Sequence, residues 1–178
     1  MFSATETQGL FERPALTGGF VLLHAVPAAL TSHIRWSIEN TLKASLKLSW
    51  EAQPARPGYQ RTELTWTGPA GTAAQLASAL RQFSDTHFEI TERPTATSSA
   101  LRIMHTPSLG LCTQPVDAQG NFTVTEDRIR YAFEQAAGDY KALYDQFALA
   151  LGQAWDEELE PLRYSKKTIN IAHIRSEG

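Results

Sequence analysis

The order of apolar and polar positions from Phe20 to Thr91 predicts a strand, a helix, two strands, a helix and a strand. The first segment, Phe20–Ala25, is apolar on both faces, which is typical of a central strand. The helix that follows Pro27 has apolar residues at a spacing of four: Leu30, Ile34, Ile38 and Leu42. This succession indicates an α+β protein that begins with a ferredoxin-like β-α-β-β-α-β half.

The second and third predicted strands each have one apolar and one polar face. The inward positions are Leu46, Leu48, Trp50, Thr62, Leu64 and Trp66. The outward positions are Lys47, Ser49, Glu51, Arg61, Glu63 and Thr65. Thr72 and Gln75 have the spacing of a capping box, so the second helix should begin there. The fourth strand is predicted at His87–Thr91.

The second half of the chain predicts a short hairpin and two helices. The hairpin strands are Leu101–His105 and Leu109–Thr113. Thr125 should cap the third helix, and Asp139 should begin a long fourth helix that ends near Pro161. The apolar stripe of this fourth helix is Leu143, Phe147, Leu151, Trp155 and Leu159. Residues 168–174 (TINIAHI) suit either a last strand or an ordered tail.

The organisation predicted from these patterns is an N-terminal arm over residues 1–16, a ferredoxin-like half over 17–94 and a hairpin-plus-helix half over 95–178. The polar linker Pro94–Ser99 is the boundary, and the halves should form one compact unit. Two helices on one face of a ferredoxin-like sheet leave the other face open. We expect the third and fourth helices, or a homodimer contact, to cover it.

Composition excludes several classes of protein. The 178 residues have a formal net charge of -3, so there is no basic excess for nucleic acid. One cysteine, Cys112, excludes an internal disulfide and fits a reducing compartment. No apolar run approaches the roughly 20 residues of a membrane span, and the N-terminus lacks the pattern of a signal peptide. A cytoplasmic protein is therefore expected, without a cofactor motif or the His/Cys spacing of a metal site.

Six segments resemble the actinobacterial family called domain of unknown function 3145. They are FVLLHAVP (20–27), WEAQPARPG (50–58), WTGPAGTAAQLASAL (66–80), FEITERP (88–94), HTPSLG (105–110) and AWDEELEPLR (154–163). The resemblance extends from about Gly18 to Arg163. It implies an actinobacterial source and, because relatives are often encoded near fatty-acid synthesis genes, a link to fatty-acid metabolism. It implies no established activity.

The polar side of the predicted sheet is the first candidate site. His24, Arg61, Glu63 and Glu89 would face the same way and form a polar pocket in which Arg61 holds an anion bidentately. The alternative is a solvated outer face with cross-strand ion pairs. His105 is a further candidate ligand-binding residue at the end of a buried strand, and the alternative there is a hydrogen-bonded structural histidine.

Three weaker candidates have simpler explanations. The turn Thr67–Thr72 (TGPAGT) could present backbone N–H groups to an anion, but it lacks the lysine of a phosphate loop. Cys112 is more typical of a buried inert thiol than of an activated one. The acidic run from Asp156 to Glu160 could bind a basic partner, or it could be a solvated helix face.

Three functions remain open from the sequence. The first is a non-catalytic binding or regulatory protein for a small anionic ligand or a protein partner. The second is a small enzyme with His24 or His105 as acid/base, Glu63 or Glu89 as its partner and Arg61 as the anion clamp. The third is an assembly protein whose isoleucine-rich tail makes a subunit contact.

Overall fold

The computed structural model describes residues 15–163, which fold as one six-stranded antiparallel sheet with helices on both faces. The strands are β1 (Leu16–Pro27), β2 (Glu51–Ala52), β3 (Tyr59–Pro69), β4 (His87–Glu92), β5 (Ala100–Thr106) and β6 (Gly110–Val116). The helices are α1 (Thr31–Leu42), α2 (Thr72–Leu80), α3 (Glu126–Ala136), α4 (Tyr140–Ala150) and α5 (residues 153–163). The α+β class is confirmed.

The strand order is β2-β3-β1-β4-β5-β6, so β1 lies between β3 and β4. The first four strands stand in the order that a split β-α-β arrangement predicts. Two features depart from a simple ferredoxin-like half. The β5–β6 hairpin continues the same sheet beyond β4, and β2 is only two residues long.

The second strand, predicted from Leu46 to Glu51, is wrong except at its last residue, where β2 begins. Side chains take backbone groups that a strand ladder would use. The Glu39 carboxylate accepts the Leu46 N–H at 2.8 Å, and the Thr62 hydroxyl donates to the Ser49 carbonyl at 2.7 Å. The apolar positions of this segment nevertheless pack against the core, as their alternation predicted.

The main core lies between the sheet and the pair α1 and α2. Its buried side chains come from the inward faces of β1, β3, β4 and β5 and from the stripes of both helices: Val21, Leu23, Ile34, Ile38, Trp66, Leu76, Leu80, Phe88, Ile90 and Ile103. The predicted inward positions of β3 and the stripe of α1 are therefore confirmed.

The start of α2 differs from the predicted capping box. Gly71, at φ 92°, precedes the first helical residue, and the hydroxyl of Thr72 donates to the Pro69 carbonyl at 2.7 Å instead of accepting from the helix. The buried Glu92 carboxylate accepts from the N–H groups of Gly71 and Ala73, both at 2.9 Å. A side chain from β4 therefore replaces the local cap.

The predicted long fourth helix is two helices. The α4 segment ends at Ala150, and Gly152 takes a left-handed conformation with φ 65°. A side chain at Gly152 would lie 2.7 Å from Met104 Cε, so the chain passes tightly over the sheet at this point. The predicted caps Thr125 and Asp139 are confirmed, since each side chain accepts an N–H group of the helix that follows it.

The second face of the sheet is covered by α5, which is the C-terminal part of the predicted fourth helix. The expected cover is therefore confirmed for this part and wrong for α3 and α4. Leu159 of α5 is completely buried against Met104 and Cys112. The α3 and α4 helices pack chiefly against each other. The cover is partial: Phe20, whose burial we expected, is half exposed at 51% while its neighbour Val21 is fully buried.

The predicted strand or tail at residues 168–174 and most of the predicted arm at 1–16 lie outside the described residues. Within residues 15–163, no helix combines the length and apolar character needed to span a bilayer.

Candidate functional site

The second face of the sheet gathers charged side chains from four strands beneath and beside α5. The register pairs Leu22 with both Glu63 and Glu89, so the outward residues of β3, β1 and β4 line up across the sheet. Glu89 pairs with Met104, whose neighbour on the same face is Arg102. This face therefore brings His24, Arg61, Glu63 and Glu89 to one side, as the sequence predicted.

Glu89 is the centre of this face and is almost completely buried at 4% exposure. Its Oε1 accepts from His24 Nε2 at 2.8 Å and from Arg163 Nε at 2.6 Å. Its Oε2 accepts from Arg102 Nε at 2.9 Å and from Arg102 Nη2 at 2.6 Å. Four donors thus saturate one carboxylate.

The protonation state of Glu89 follows from these contacts. Burial alone would raise its pKa, but the hydrogen bonds from His24 and Arg163 and the charge of Arg102 outweigh burial and hold the pKa well below its usual range. Glu89 is therefore a fixed anion at neutral pH. A fixed anion cannot act as a general acid, but it orients every donor that it binds.

The network continues from Glu89 into α5. Asp156 Oδ1 accepts from Arg102 Nη2 at 3.0 Å and from Arg163 Nη2 at 2.7 Å, and Glu160 accepts from Arg163 Nη1 at 3.2 Å. Burial opposes ionisation of Arg163, yet the hydrogen bonds to Glu89 and Asp156 raise its pKa. Two arginines alternate with acidic groups, so the charges of the network largely compensate one another.

Beside this network lies a pocket of about 420 Å³ between β1, β3 and the end of α5. Its lining includes Leu22, His24, Arg61, Glu63, Leu162 and Arg163. Arg61 is mostly buried, with 12% of its side chain exposed, and lies 3.4 Å from the largely exposed Glu51. Three of the predicted residues, His24, Arg61 and Glu63, line this pocket, and Glu89 holds His24 from behind. Their role in binding a ligand stays a prediction.

His105 does not belong to this site. It pairs with Phe88, whose side chain is on the α1–α2 side of the sheet, and the two rings stack with centroids 4.8 Å apart. Its Nδ1 donates to the Thr86 carbonyl at 2.8 Å, and burial lowers its pKa. Side chains alternate along β5, and this alternation places His105 on the opposite face of the sheet from His24.

The three weaker candidates are explained by internal contacts. The helix start at the turn Thr67–Thr72 does bind an anion, but that anion is the chain's own Glu92. Cys112 is buried, and burial raises the pKa of its thiol. Of the acidic run, Asp156 and Glu160 contact Arg163, and Glu158 accepts from the Ser108 hydroxyl. Residues 15–163 contain no His/Cys/Asp/Glu group arranged to hold a metal.

Sequence reasoning missed Arg102 and Arg163 as members of this site, and it placed Asp156 only in the acidic run of the last helix. A local signal existed for α5, because Asp156, Leu159 and Arg163 recur at spacings of three and four and therefore share one helix face. Because one long fourth helix was predicted, the sequence did not indicate that this face of α5 packs against the sheet. The pairing of Arg102 with Glu89 depends on strand register, which a single strand does not reveal.

The chain belongs to a protein family that is known by sequence but not by activity. The model of the family described as Protein of unknown function (DUF3145) matches residues 20–176, which confirms the resemblance noted above. Searches of curated proteins and of solved structures found no match to the chain.

Proposed function

We propose that this protein is a non-catalytic, small-molecule-binding or regulatory protein of the cytoplasm, and that its ligand carries an anionic group. The observation that carries the proposal is the pocket of about 420 Å³ built beside the Glu89 network. This volume is within the range of roughly 300 to 1,000 Å³ that is typical of small-ligand sites. The network holds His24 and Arg163 in fixed orientations, and such preorganisation lowers the entropic cost of binding.

Arg61 is the residue that we assign to the anionic group. Its guanidinium is at the pocket, and its contact with Glu51 is long at 3.4 Å and made to a side chain that is 59% exposed. Because the contact is long and its acidic partner is largely exposed to solvent, the contact contributes little to stability, and a ligand anion can replace Glu51 at small cost. Leu22 and Leu162 supply apolar wall for the rest of the ligand.

Binding without chemistry is favoured because Glu89 accepts four hydrogen bonds and is ionised at neutral pH, so it cannot serve as a general acid there. One observation favours a second candidate, a small enzyme. His24 donates through Nε2 to Glu89 at 2.8 Å, and this leaves Nδ1 as the ring nitrogen for proton transfer. A carboxylate-oriented histidine beside a pocket is a recurring acid/base arrangement.

The test of the proposal is a thermal-shift screen of the full chain against simple carboxylates, inorganic phosphate, nucleotides, acyl-CoAs and acyl carrier protein. The last two are included because the resemblance implies a link to fatty-acid metabolism. A ligand at about 100 times its dissociation constant adds roughly 2.7 kcal/mol of stability, which a melting curve resolves. A hit should also move the backbone amide NMR signals of Leu22, Glu63 and Leu162.

A matched pair of variants locates the binding. Arg61→Gln should weaken binding of the hit at least tenfold, because it removes the charge and the bidentate donors. Arg130→Gln removes an exposed arginine of α3, which pairs with Glu126 on its own helix, and should leave binding unchanged. If both variants lose the same amount of affinity, or if no amide signal around the pocket shifts, the ligand does not bind at this site.

The enzyme alternative is separated by following the hit over time by one-dimensional NMR. Under the binding proposal the compound stays intact for hours in the presence of protein. Conversion that stops in His24→Gln but continues in Arg130→Gln would replace the binding proposal with the enzyme alternative.

A further inference from the structure

The hairpin of α3 and α4 exposes most of the large apolar side chains that the described part of the chain leaves in solvent. One set of them forms a patch that we call the α3–α4 face. It consists of Ile129, Phe133, Tyr140, Tyr144, Phe147 and Leu151. Apart from the partly buried Phe147, these side chains are exposed by between 37% at Ile129 and 81% at Tyr140.

Helix spacing makes this face continuous. On α3, Ile129 and Phe133 are four residues apart and lie on the same side. The four members from Tyr140 onward follow one another at spacings of four, three and four along α4 and its C-terminal cap. The rings of Phe133 and Phe147 meet edge to face with centroids 6.1 Å apart, and this contact joins the two stripes.

The hairpin buries little of its own apolar surface. The buried residues of α3 and α4 are three alanines, Ala132, Ala136 and Ala150, whereas most of the large apolar side chains are exposed. This is the reverse of a helix pair that covers its own core. Contiguous apolar surface of this kind on a water-soluble fold is typical of an interaction site.

We propose that the occupant of the α3–α4 face is the same face of a second copy of this chain, related by a two-fold axis. The exposed fraction of each of these side chains, multiplied by the 150 to 250 Å² that an aromatic side chain can bury, sums to about 500 Å² of apolar surface per copy. A symmetric pair would bury about 1,000 Å² from these side chains alone, near the lower limit of specific interfaces. In a contact with two-fold symmetry, the same patch of each copy packs against its counterpart, so one patch per chain is sufficient.

The charges around the face fit a second copy. The flanking Arg130 pairs with Glu126, and Lys141 pairs with Asp145 at 2.7 Å, each within its own helix. Because these flanking charges are paired within each copy, two copies can approach without repulsion between like charges. The paired charges also offer no basic field for a nucleic acid or an anionic membrane surface. The dimer does not depend on the ligand pocket, which lies on the sheet at the end of α5.

The experiment is sedimentation velocity on the full-length chain from about 1 to about 100 µM, the range in which a dimer of modest affinity dissociates. Wild-type protein should move from monomer to dimer across this range. Phe133→Ser and Tyr144→Ser should each weaken the dimer at least tenfold, because truncating a central aromatic anchor removes its packing on the partner. Far-ultraviolet circular dichroism should show unchanged helix content.

Tyr131→Ser is the matched control. Tyr131 is also an aromatic residue of α3 and is 45% exposed, but its spacing from Phe133 places it on the other side of the helix. This variant should dimerise within about twofold of wild type. Wild-type protein that stays monomeric at the highest concentration would overturn the proposal, as would equal weakening by Tyr131→Ser and Tyr144→Ser.

Discussion

Replacing Glu89 with glutamine tests the central claim that a buried carboxylate organises the second face of the sheet. Glutamine keeps the shape of the side chain but removes its charge. It also places an amide –NH₂ group, which can only donate, among the donors of His24, Arg102 and Arg163. Two guanidinium groups would then lose their buried counter-ion while remaining about one-fifth exposed.

The magnitude follows from the geometry. Removing one partner of a buried ion pair costs about 3 to 5 kcal/mol, and Glu89 is 4% exposed. The lower end applies, because both arginines keep their contact with Asp156. We therefore expect Glu89→Gln to lower the free energy of unfolding at pH 7 by about 3 kcal/mol. With a urea m-value of about 2 kcal/mol/M, the midpoint falls by about 1.5 M.

The pH dependence provides a second readout with a definite sign. The folded pKa of Glu89 lies below its unfolded value of about 4.3, so its ionised form stabilises the fold above that pH. This contribution is lost as the pH falls through the folded pKa. The difference in unfolding free energy between wild type and Glu89→Gln should therefore shrink as the pH falls below about 4.

Urea unfolding followed by circular dichroism at several pH values measures both effects. Glu51→Gln is the control, because Glu51 is an exposed carboxylate on the same face, and it should change the free energy by less than about 0.5 kcal/mol. A loss below about 1 kcal/mol in Glu89→Gln at pH 7 would refute the reasoning. So would a difference between wild type and this variant that stays the same down to pH 3.

Three further predictions concern other sites. Burial and the nearby Arg56 lower the pKa of His87 to about 4, so NMR should show a neutral ring down to that pH, and His87→Gln should flatten the loss of stability as the pH falls from 6.5 to 4. Glu92→Gln should lower the free energy of unfolding in urea by about 1 to 2 kcal/mol, because it weakens the cap of α2. Gly152→Ala should lower the melting temperature more than Gly120→Ala, since both glycines have positive φ but only a side chain at Gly152 meets Met104. Equal decreases in melting temperature would contradict the tight passage of the chain over the sheet.

The inward and outward faces of β1 and β3 could be predicted from the sequence, because side chains alternate strictly along a strand and the pattern is local. The stripe of α1 and the caps Thr125 and Asp139 follow from helix geometry in the same way. The grouping of His24, Arg61 and Glu63 beside one pocket followed from placing these strands in one sheet.

Contacts between distant parts of the chain decided the remaining features. An isolated glycine does not by itself predict the end of a helix, because glycine is tolerated within a helical pattern. The reason for the turn at Gly152 is the close approach of Met104, which only the structure shows. Thr72 had the local signal of a cap, but the Glu92 carboxylate was brought to the helix start by the sheet. Arg102 and Arg163 reach Glu89 through strand register and through the docking of α5. The sequence by itself determined which side each residue of an element faces, because that depends on local periodicity. Only the tertiary structure decided which charges meet there, because that depends on how separate elements pack.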